Sequence, residues 1–160
     1  RIWLEKDVMV NPSRLPFLIY DNDLALIGNC GVCKVTQKTA ELDTMMRGSS
    51  RGGADIMTLA QTTLVHWIFS GLSVATISGR ILSSNFIALR FHRDFGFQET
   101  SRIALRKELT TDGYRLVESP DPTEPENNLY LVYKKIDRNR FYSLHPWMES
   151  LSVAPEFLSD

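Results

Sequence analysis

The sequence predicts one α/β domain built on a mixed sheet. Strand-like segments occur in hairpin-like pairs at both ends of the chain, and two helix-like segments lie between them. Residues 40–78 have the order strand, loop, helix, strand, which is the kind of crossover that aligns two strands in parallel. We assign the domain to residues 1–136 and a C-terminal tail to residues 137–160.

Composition and charge exclude several functional classes. Hydrophobic residues make up 43% of the chain and charged residues 23%, values typical of a globular domain and not of a disordered or fibrous one. The net charge of -1 provides no field that would attract nucleic acid or a membrane surface. The apolar runs are too short for a membrane span and the N-terminus lacks a signal peptide, so we expect a cytoplasmic protein.

The two cysteines, Cys30 and Cys33, form a C-x-x-C pair within a strand-like apolar segment. A redox pair and half of a zinc site both use this spacing. No second cysteine pair occurs, and the histidines lack the spacing that would complete a zinc finger. We therefore expect two structural thiols in a reducing compartment and no metal.

The first strands are predicted by apolar segments on either side of a turn. Pro16–Tyr20 and Leu24–Val35 are separated by Asp21-Asn22-Asp23, which is dense in turn residues and predicts a hairpin. Gly28 and Gly31 indicate a bulge or bend in the second strand.

A third strand is predicted at Ala40–Met46, where residue types alternate. This period of two places Glu41 and Asp43 on one face of the strand and mostly apolar side chains on the other.

A long helix is predicted from Gly53 to Ser70, because apolar residues there recur at helical spacing. Gly71 is placed to end it just beyond the last turn. The polar stripe on the opposite face consists of Asp55, Thr58, Thr62 and His66.

The remaining elements follow from the same signals. A second helix runs through Asn85 to Asp94, capped by Ser83 or Ser84, and stops at Gly96. A short helix is expected after Pro146. The other predicted strands are Ser73–Ser78, Phe97–Leu105, Tyr114–Glu118 and Leu129–Ile136.

A glycine-rich loop joins the third strand to the first helix, with the sequence Arg47-Gly48-Ser49-Ser50-Arg51-Gly52-Gly53. Glycines let backbone amides approach a phosphate closely, and the helix N-terminus adds N–H groups without internal partners. Arg47 and Arg51 can supply charge-assisted bonds. An ordinary glycine-rich turn with two solvated arginines explains the loop equally well, so the loop alone leaves both interpretations open.

Two motifs in order make the phosphate interpretation more specific. Residues 47–52 match the pattern Arg/Gln-x-x-Gly-x-Gly/Ala at the arginine and the last glycine, with Ser50 in place of the middle glycine. Further along, Asn85, Ala88 and Gly96-Phe97 match a pattern of Asn-x-x-Ala followed by Gly-Phe. Together these motifs resemble the GNAT superfamily of N-acetyltransferases, and the resemblance covers residues 17–107.

The resemblance implies a GNAT-like acyl-CoA N-acyltransferase fold with acetyl-CoA as co-substrate. The pyrophosphate of acetyl-CoA would bind the loop amides, and the backbone of Met45 and Met46 would polarise the thioester carbonyl as an oxyanion hole does. The residues expected to bind acetyl-CoA are Met45, Met46, Arg47, Gly48, Ser50, Arg51, Gly52, Gly53 and Asn85.

The same resemblance implies candidates for proton transfer. A carboxylate commonly deprotonates the amine, and Glu41 and Asp43 share one strand face, so both are candidates. The family usually donates the proton for the leaving thiolate from a tyrosine seven residues after the asparagine. In this sequence that position is His92, and an imidazole with a pKa of about 6.5 suits acid–base work at neutral pH.

The expected acceptor is a small primary amine. A narrower likeness to bacterial GNAT enzymes that acylate amino sugars favours an amino sugar, including a nucleotide-linked one. The departures at Ser50 and His92 keep open a non-catalytic acyl-CoA-binding or regulatory domain of a larger protein. A small nucleotide-binding domain of another family is the third interpretation.

The N-terminal part is shorter than the resemblance would require. GNAT proteins open with a strand and two helices that form one wall of the acceptor site, and the 15 residues before Pro16 cannot hold them. We expect a truncated N-terminal part. The missing wall would come from an upstream domain, from a second copy in a homodimer, or from the tail around Phe141–Trp147.

Overall fold

A computed structural model describes residues 10–11, 13–121 and 125–151 of the chain. Two compact units are present. The first contains the described residues up to Ile77 and those from Asp137 onward, and the second runs from Ser78 to Ile136. Both contain strands and helices, which confirms the mixed α/β class. The division into a domain at 1–136 and a tail stays a prediction.

The first unit contains an antiparallel hairpin, short central strands and a long helix. Strand β2 lies between β1 and β3, and β4 pairs with β2 beside β3. The elements before Ile77 are β1 (Arg14–Tyr20), β2 (Leu26–Cys33), β3 (Thr39–Leu42), β4 (Met46–Arg47), α1 (Ile56–Gly71) and the first two residues of β5 (Thr76–Leu82). The part from Asp137 onward contributes a C-terminal helix (Arg138–Leu144) and a 3₁₀ turn (Pro146–Met148).

The β1–β2 hairpin confirms the sequence prediction, and its glycines have a packing role as well. The register shifts between Ile19 and Tyr20, where Ile19 faces Gly28 but Tyr20 faces Leu26, so a bulge leaves Ile27 unpaired. A Cβ atom at Gly28 would lie 2.2 Å from the carbonyl oxygen of Met46. Only glycine therefore allows β4 to approach β2 this closely.

Helix α1 confirms the predicted segment but differs at its polar face. The predicted polar stripe is partly buried: Thr62 is 2% and His66 3% exposed. The Thr62 hydroxyl donates a hydrogen bond to the carbonyl of Thr58. This bond allows a threonine to be buried in a helix, because its hydroxyl group has a partner. The predicted end is also wrong, because Gly71 is the last helical residue and Ser73 takes the left-handed conformation (φ 55°).

The C-terminal helix, which precedes Pro146, was not predicted. Asp137 caps it by accepting from the Arg140 amide, and Phe141 is fully buried against Phe69 of α1. His66 contacts this segment twice, through the Tyr142 hydroxyl at Nδ1 (2.9 Å) and the Leu151 carbonyl at Nε2 (3.0 Å). Its role is therefore structural, as a buried link between α1 and the C-terminal segment.

Among its described residues, the second unit contains one α-helix, one 3₁₀ turn and four strands. Strand β5 starts later than predicted, β8 lies between it and β6, and β7 pairs antiparallel with β6. Its elements are the rest of β5, α2 (Phe86–Asp94), β6 (Gln98–Thr110), β7 (Gly113–Glu118), a 3₁₀ turn (Glu126–Asn128) and β8 (Tyr130–Asp137); the C-terminal helix above is α3.

The cap of α2 is Asn85, whose side chain accepts from the Ala88 amide (3.1 Å). The predicted caps, Ser83 and Ser84, are therefore wrong. Ser83 instead binds the strand opposite, accepting from the Tyr130 amide at its hydroxyl. Over the described residues, no helix has the combination of length and apolar character that a bilayer crossing requires.

Candidate active site

The glycine-rich loop forms an open concavity of about 620 Å³ in front of α1. Gly52 (φ 81°) and Gly53 (φ 76°) take left-handed conformations that L side chains disfavour. The concavity is lined by Arg47, Gly48, Ser49, Ser50, Gly53 and Ala54.

Arg47 binds the loop itself. Its Nε donates to the Ser49 carbonyl (2.8 Å), and its Nη2 donates to the carbonyls of Ser50 (3.1 Å), Arg51 (3.1 Å) and Gly53 (2.7 Å). The sequence suggested that this guanidinium would bond a phosphate, whereas the fold directs it to backbone oxygens.

Arg51 also has protein partners. Its guanidinium binds Asp21 (2.9 Å) and Asp23 (2.8 Å) in the β1–β2 turn. The Ala25 amide and then Arg51 hold the pKa of Asp21 below its ordinary value. This pairing joins the loop to the hairpin turn, so Arg51 neutralises two carboxylates that would otherwise repel an anion.

The loop amides divide into two groups. Those of Gly48 and Ser49 both donate to the carbonyl of bulged Ile27 (2.8 and 3.1 Å), and that of Arg51 donates to the Ser49 hydroxyl. Within the described chain, the amides of Ser50, Gly52, Gly53 and Ala54 have no hydrogen-bond partner.

The N-terminus of α1 adds further donors, because Asp55 at the N-cap makes no side-chain capping bond. These unpaired N–H groups and the positive end of the helix dipole suit a bound anion. Of the predicted contacts, Ser50 and Gly53 line the concavity with unpaired amides, Gly52 has an unpaired amide but is not on the lining, and the Gly48 amide is already occupied.

An apolar cavity of about 570 Å³ continues from the loop, with Arg47 and Gly48 common to both linings. The cavity opens where the strand is interrupted between β3 and β4. Val32 of β2 pairs with Leu42, and Asn29 of β2 pairs with Met46. Three residues (43–45) therefore lie opposite two residues of β2 (30–31), and the backbone bulges. The predicted continuous strand at 40–46 is therefore wrong. The break places Asp43, Thr44 and Met46 on the cavity wall. Met45 lies in the bulge and is half-buried.

The structure separates the two candidate carboxylates. Asp43 lines the cavity, where it pairs with Arg14 (3.1 Å) and accepts from the Thr44 hydroxyl (3.3 Å). Glu41 is not among the lining residues and pairs with Lys34 (3.1 Å). The bulge follows Asp43, whose amide still donates to the Gly31 carbonyl (2.9 Å), so the two carboxylates differ in their partners and in their access to the cavity.

The cysteines of β2 are free thiols, and both are buried. Burial raises the pKa of Cys30 to about 11, and burial with nearby Asp43 and Glu41 raises that of Cys33. Thiols protonated at neutral pH are poor nucleophiles and poor metal ligands. This supports their interpretation as packing residues.

His92 lies in the second unit and is 9% exposed. Its ring packs 4.7 Å from that of Phe97, and Gly79 leaves room for it, since a Cβ there would lie 3.0 Å from Cε1. Burial, aided by the charge of Lys134, lowers the pKa of His92 to about 4. The expectation of an ordinary imidazole pKa is therefore wrong, because an imidazolium would be desolvated here. Its buried Nδ1 lacks a hydrogen-bond partner among the described residues.

Searches against protein-family profiles and curated protein sequences found no match. Solved structures do match. A mutant of spermidine N-acetyltransferase SpeG from Vibrio cholerae aligns over 90% of this chain and 76% of its own, with a TM-score of 0.63 and 14% identity. Campylobacter jejuni N-acetyltransferase PseH, in complex with acetyl coenzyme A, aligns over 80% of this chain and 70% of its own, with a TM-score of 0.54 and 17% identity. The chain has the GNAT fold.

The GNAT fold confirms the architecture expected from the two motifs, including the loop between a strand and the first long helix. Sequence reasoning missed the loop-internal role of Arg47 and the part played by Ile27. No pattern of residue types signals either role, because both depend on where backbone carbonyls point after folding. The possible signal for Ile27 was Gly28 beside it, which marked the bulge.

The depressed pKa of His92 predicts a pH-dependent stability. Because the folded pKa (about 4) lies below the ordinary 6.5, the unfolded chain binds more protons between these values, and stability falls as pH drops through that window. Urea unfolding should show a loss of about 1 kcal/mol from pH 7 to pH 5.5 from this group.

The variant His92→Gln should lack this part of the pH dependence while unfolding cooperatively. Between pH 7 and 8, where His92 does not titrate, both proteins should be equally insensitive to pH. An identical slope in both proteins below pH 7 would contradict the assignment.

Proposed function

We propose that this protein transfers an acetyl group from acetyl-CoA to a primary amine. The observation that carries the proposal is that an anion-binding loop and an apolar cavity adjoin, with Arg47 and Gly48 in both linings. Acetyl-CoA has the matching order of parts, a pyrophosphate followed by a long and largely uncharged arm that ends in the thioester. The GNAT fold supports the same assignment.

The chemistry requires a free amine, a polarised carbonyl and a departing thiolate. The amine nitrogen bonds to the acetyl carbon, the carbon–sulfur bond breaks, and the amine proton passes to a base. Asp43 is the better-placed base because it lines the cavity and Glu41 does not. The bulged backbone at Met45 and Met46 is the proposed polarising element.

His92 enters the proposal in its neutral form. With a pKa of about 4 it carries no imidazolium proton at pH 7, so it would assist the thiolate by donating a hydrogen bond from its N–H. Asn85 serves as the cap of α2 and would act through the position of that helix. We accordingly expect no inflection from His92 in rate profiles above pH 6.

An amino sugar is the acceptor that we favour. SpeG is a spermidine N-acetyltransferase, and a polyamine carries several positive charges that call for several carboxylates. In the described chain Asp43 is the single acidic residue on the cavity wall, and Arg14 already pairs with it. Such a cavity suits an acceptor with one amine and several neutral hydroxyl groups.

The test is thiol release from acetyl-CoA with a panel of amines, together with acetyl-CoA binding measured by calorimetry. We expect binding, and turnover that is faster with amino sugars, free or nucleotide-linked, than with spermidine or a lysine peptide. Faster turnover with spermidine would overturn the acceptor class alone. Binding without turnover on any amine would support a non-catalytic acyl-CoA-binding domain. Protection by ATP or NAD but not by CoA would overturn the proposal entirely.

A further inference from the structure

The loop at residues 47–54 has an uneven distribution of backbone groups around Arg47. Four carbonyls, from Ser49, Ser50, Arg51 and Gly53, point to one guanidinium. Carbonyl oxygens normally repel one another and an incoming anion. Their convergence on a single cation removes four such oxygens from the surface that an anion would meet.

The geometry of the peptide unit determines where the amides then point. In a trans peptide the C=O of one residue and the N–H of the next lie in one plane and point in opposite directions, and no cis peptide bond occurs among the described residues. The amides of Ser50, Gly52 and Ala54 follow three of the four bound carbonyls. They therefore point away from the guanidinium, and none of the three has a hydrogen-bond partner within the described chain; the Gly53 amide, which follows a carbonyl that Arg47 does not bind, has none either.

We propose that Arg47 is a positioning residue of the phosphate site, which acts by turning the loop carbonyls inward and thereby presenting the amides of Ser50, Gly52 and Ala54 to a diphosphate. Its effect reaches the ligand through the loop. The inference rests on the proposed function for the identity of the ligand, acetyl-CoA, but the geometry requires only a diphosphate.

The two neutral variants Arg47→Met and Arg47→Gln separate positioning from charge. Both remove the cation, but glutamine keeps a planar amide with two N–H donors for the carbonyls. If Arg47 positions the loop, CoA affinity should fall about 30- to 100-fold in the methionine variant, the equivalent of losing one or two charge-assisted bonds. The glutamine variant should recover a clear part of that loss. Arg115→Met removes an exposed arginine of the β6–β7 hairpin and should leave affinity unchanged.

A substrate without the diphosphate gives the second measurement. Turnover of S-acetylpantetheine should be nearly equal in wild type and Arg47→Met, because this substrate does not reach the loop amides. An equal loss with both substrates would mean a general distortion of the site and would overturn the inference. Equal losses in the methionine and glutamine variants would assign Arg47 a direct charge contact, which also overturns it, as would an unchanged affinity.

Inorganic pyrophosphate makes the test independent of the enzymatic proposal. If wild type bound no CoA, the proposed function would fail. The positioning role would still predict that wild type binds pyrophosphate more tightly than Arg47→Met, with Arg47→Gln between them. Equal pyrophosphate binding in all three proteins would overturn the inference alone.

Discussion

Gly52→Glu should abolish acetyl-CoA binding at concentrations where wild type is saturated. Gly52 has φ 81°, which L side chains rarely adopt, and a Cβ there would lie 2.5 Å from the end of the Ile56 side chain. The added negative charge would also lie within the loop that is proposed to bind the diphosphate. Loss of two or more charge-assisted amide bonds predicts an affinity at least about 100-fold weaker by calorimetry.

The matched control is Gly113→Glu, which places the same side chain at another positive-φ glycine. Gly113 (φ 140°) lies at the start of β7, and a Cβ there meets nothing within 4 Å. It carries backbone strain and the same added charge at a position outside the loop, so its affinity should match wild type. A folded Gly52→Glu protein that binds acetyl-CoA normally would remove the loop as the site.

Asp43→Asn should lower turnover by about 10²–10⁴-fold, the usual range for loss of a general base, with acetyl-CoA affinity largely kept. Asparagine is the same size and its carbonyl oxygen can still accept from the Thr44 hydroxyl, as Asp43 does. The change therefore removes the basic oxygen without a change of size, although it also removes the ion pair with Arg14. Steady-state rates and calorimetry on the same preparations give both values.

Glu41→Gln is the comparison that decides between the two carboxylates. It neutralises a residue two positions away that pairs with Lys34 and does not line the cavity. We expect a loss of less than about 10-fold, which reflects the weakened surface ion pair. If Glu41→Gln lost more activity than Asp43→Asn, the base would be Glu41 and the cavity would not hold the reacting amine.

Sequence predictions were accurate where the interactions involve residues close together in the sequence, and inaccurate where the partners are distant in the sequence. The helix at α1 and the β1–β2 hairpin were predicted correctly because period and turn residues act over a few neighbouring positions. The cap of α2 was misplaced by one or two residues, since Ser83, Ser84 and Asn85 are all good caps. The Ser83 hydroxyl instead accepts a hydrogen bond from the amide of Tyr130, a residue distant in the sequence.

The site residues show the same limit. Period-two spacing made Glu41 and Asp43 equal candidates, whereas the fold pairs Glu41 with Lys34 and places Asp43, paired with Arg14, on the cavity wall. The acid–base role proposed for His92 assumed an ordinary pKa. Burial against Phe97 and the charge of Lys134 lowered it, and neither neighbour can be inferred from residues beside His92 in the sequence.

The sequence by itself determined that this protein would place a glycine-rich, amide-bearing loop between a strand and a helix N-terminus, because glycine and helix periodicity are local properties. Only the tertiary structure decided what the arginines of that loop do. A guanidinium binds whichever acceptors surround it after folding, and here these are the loop carbonyls for Arg47 and the two turn carboxylates for Arg51. Hydrogen-bond partners and desolvation both depend on residues distant in sequence, so residue identity cannot specify them.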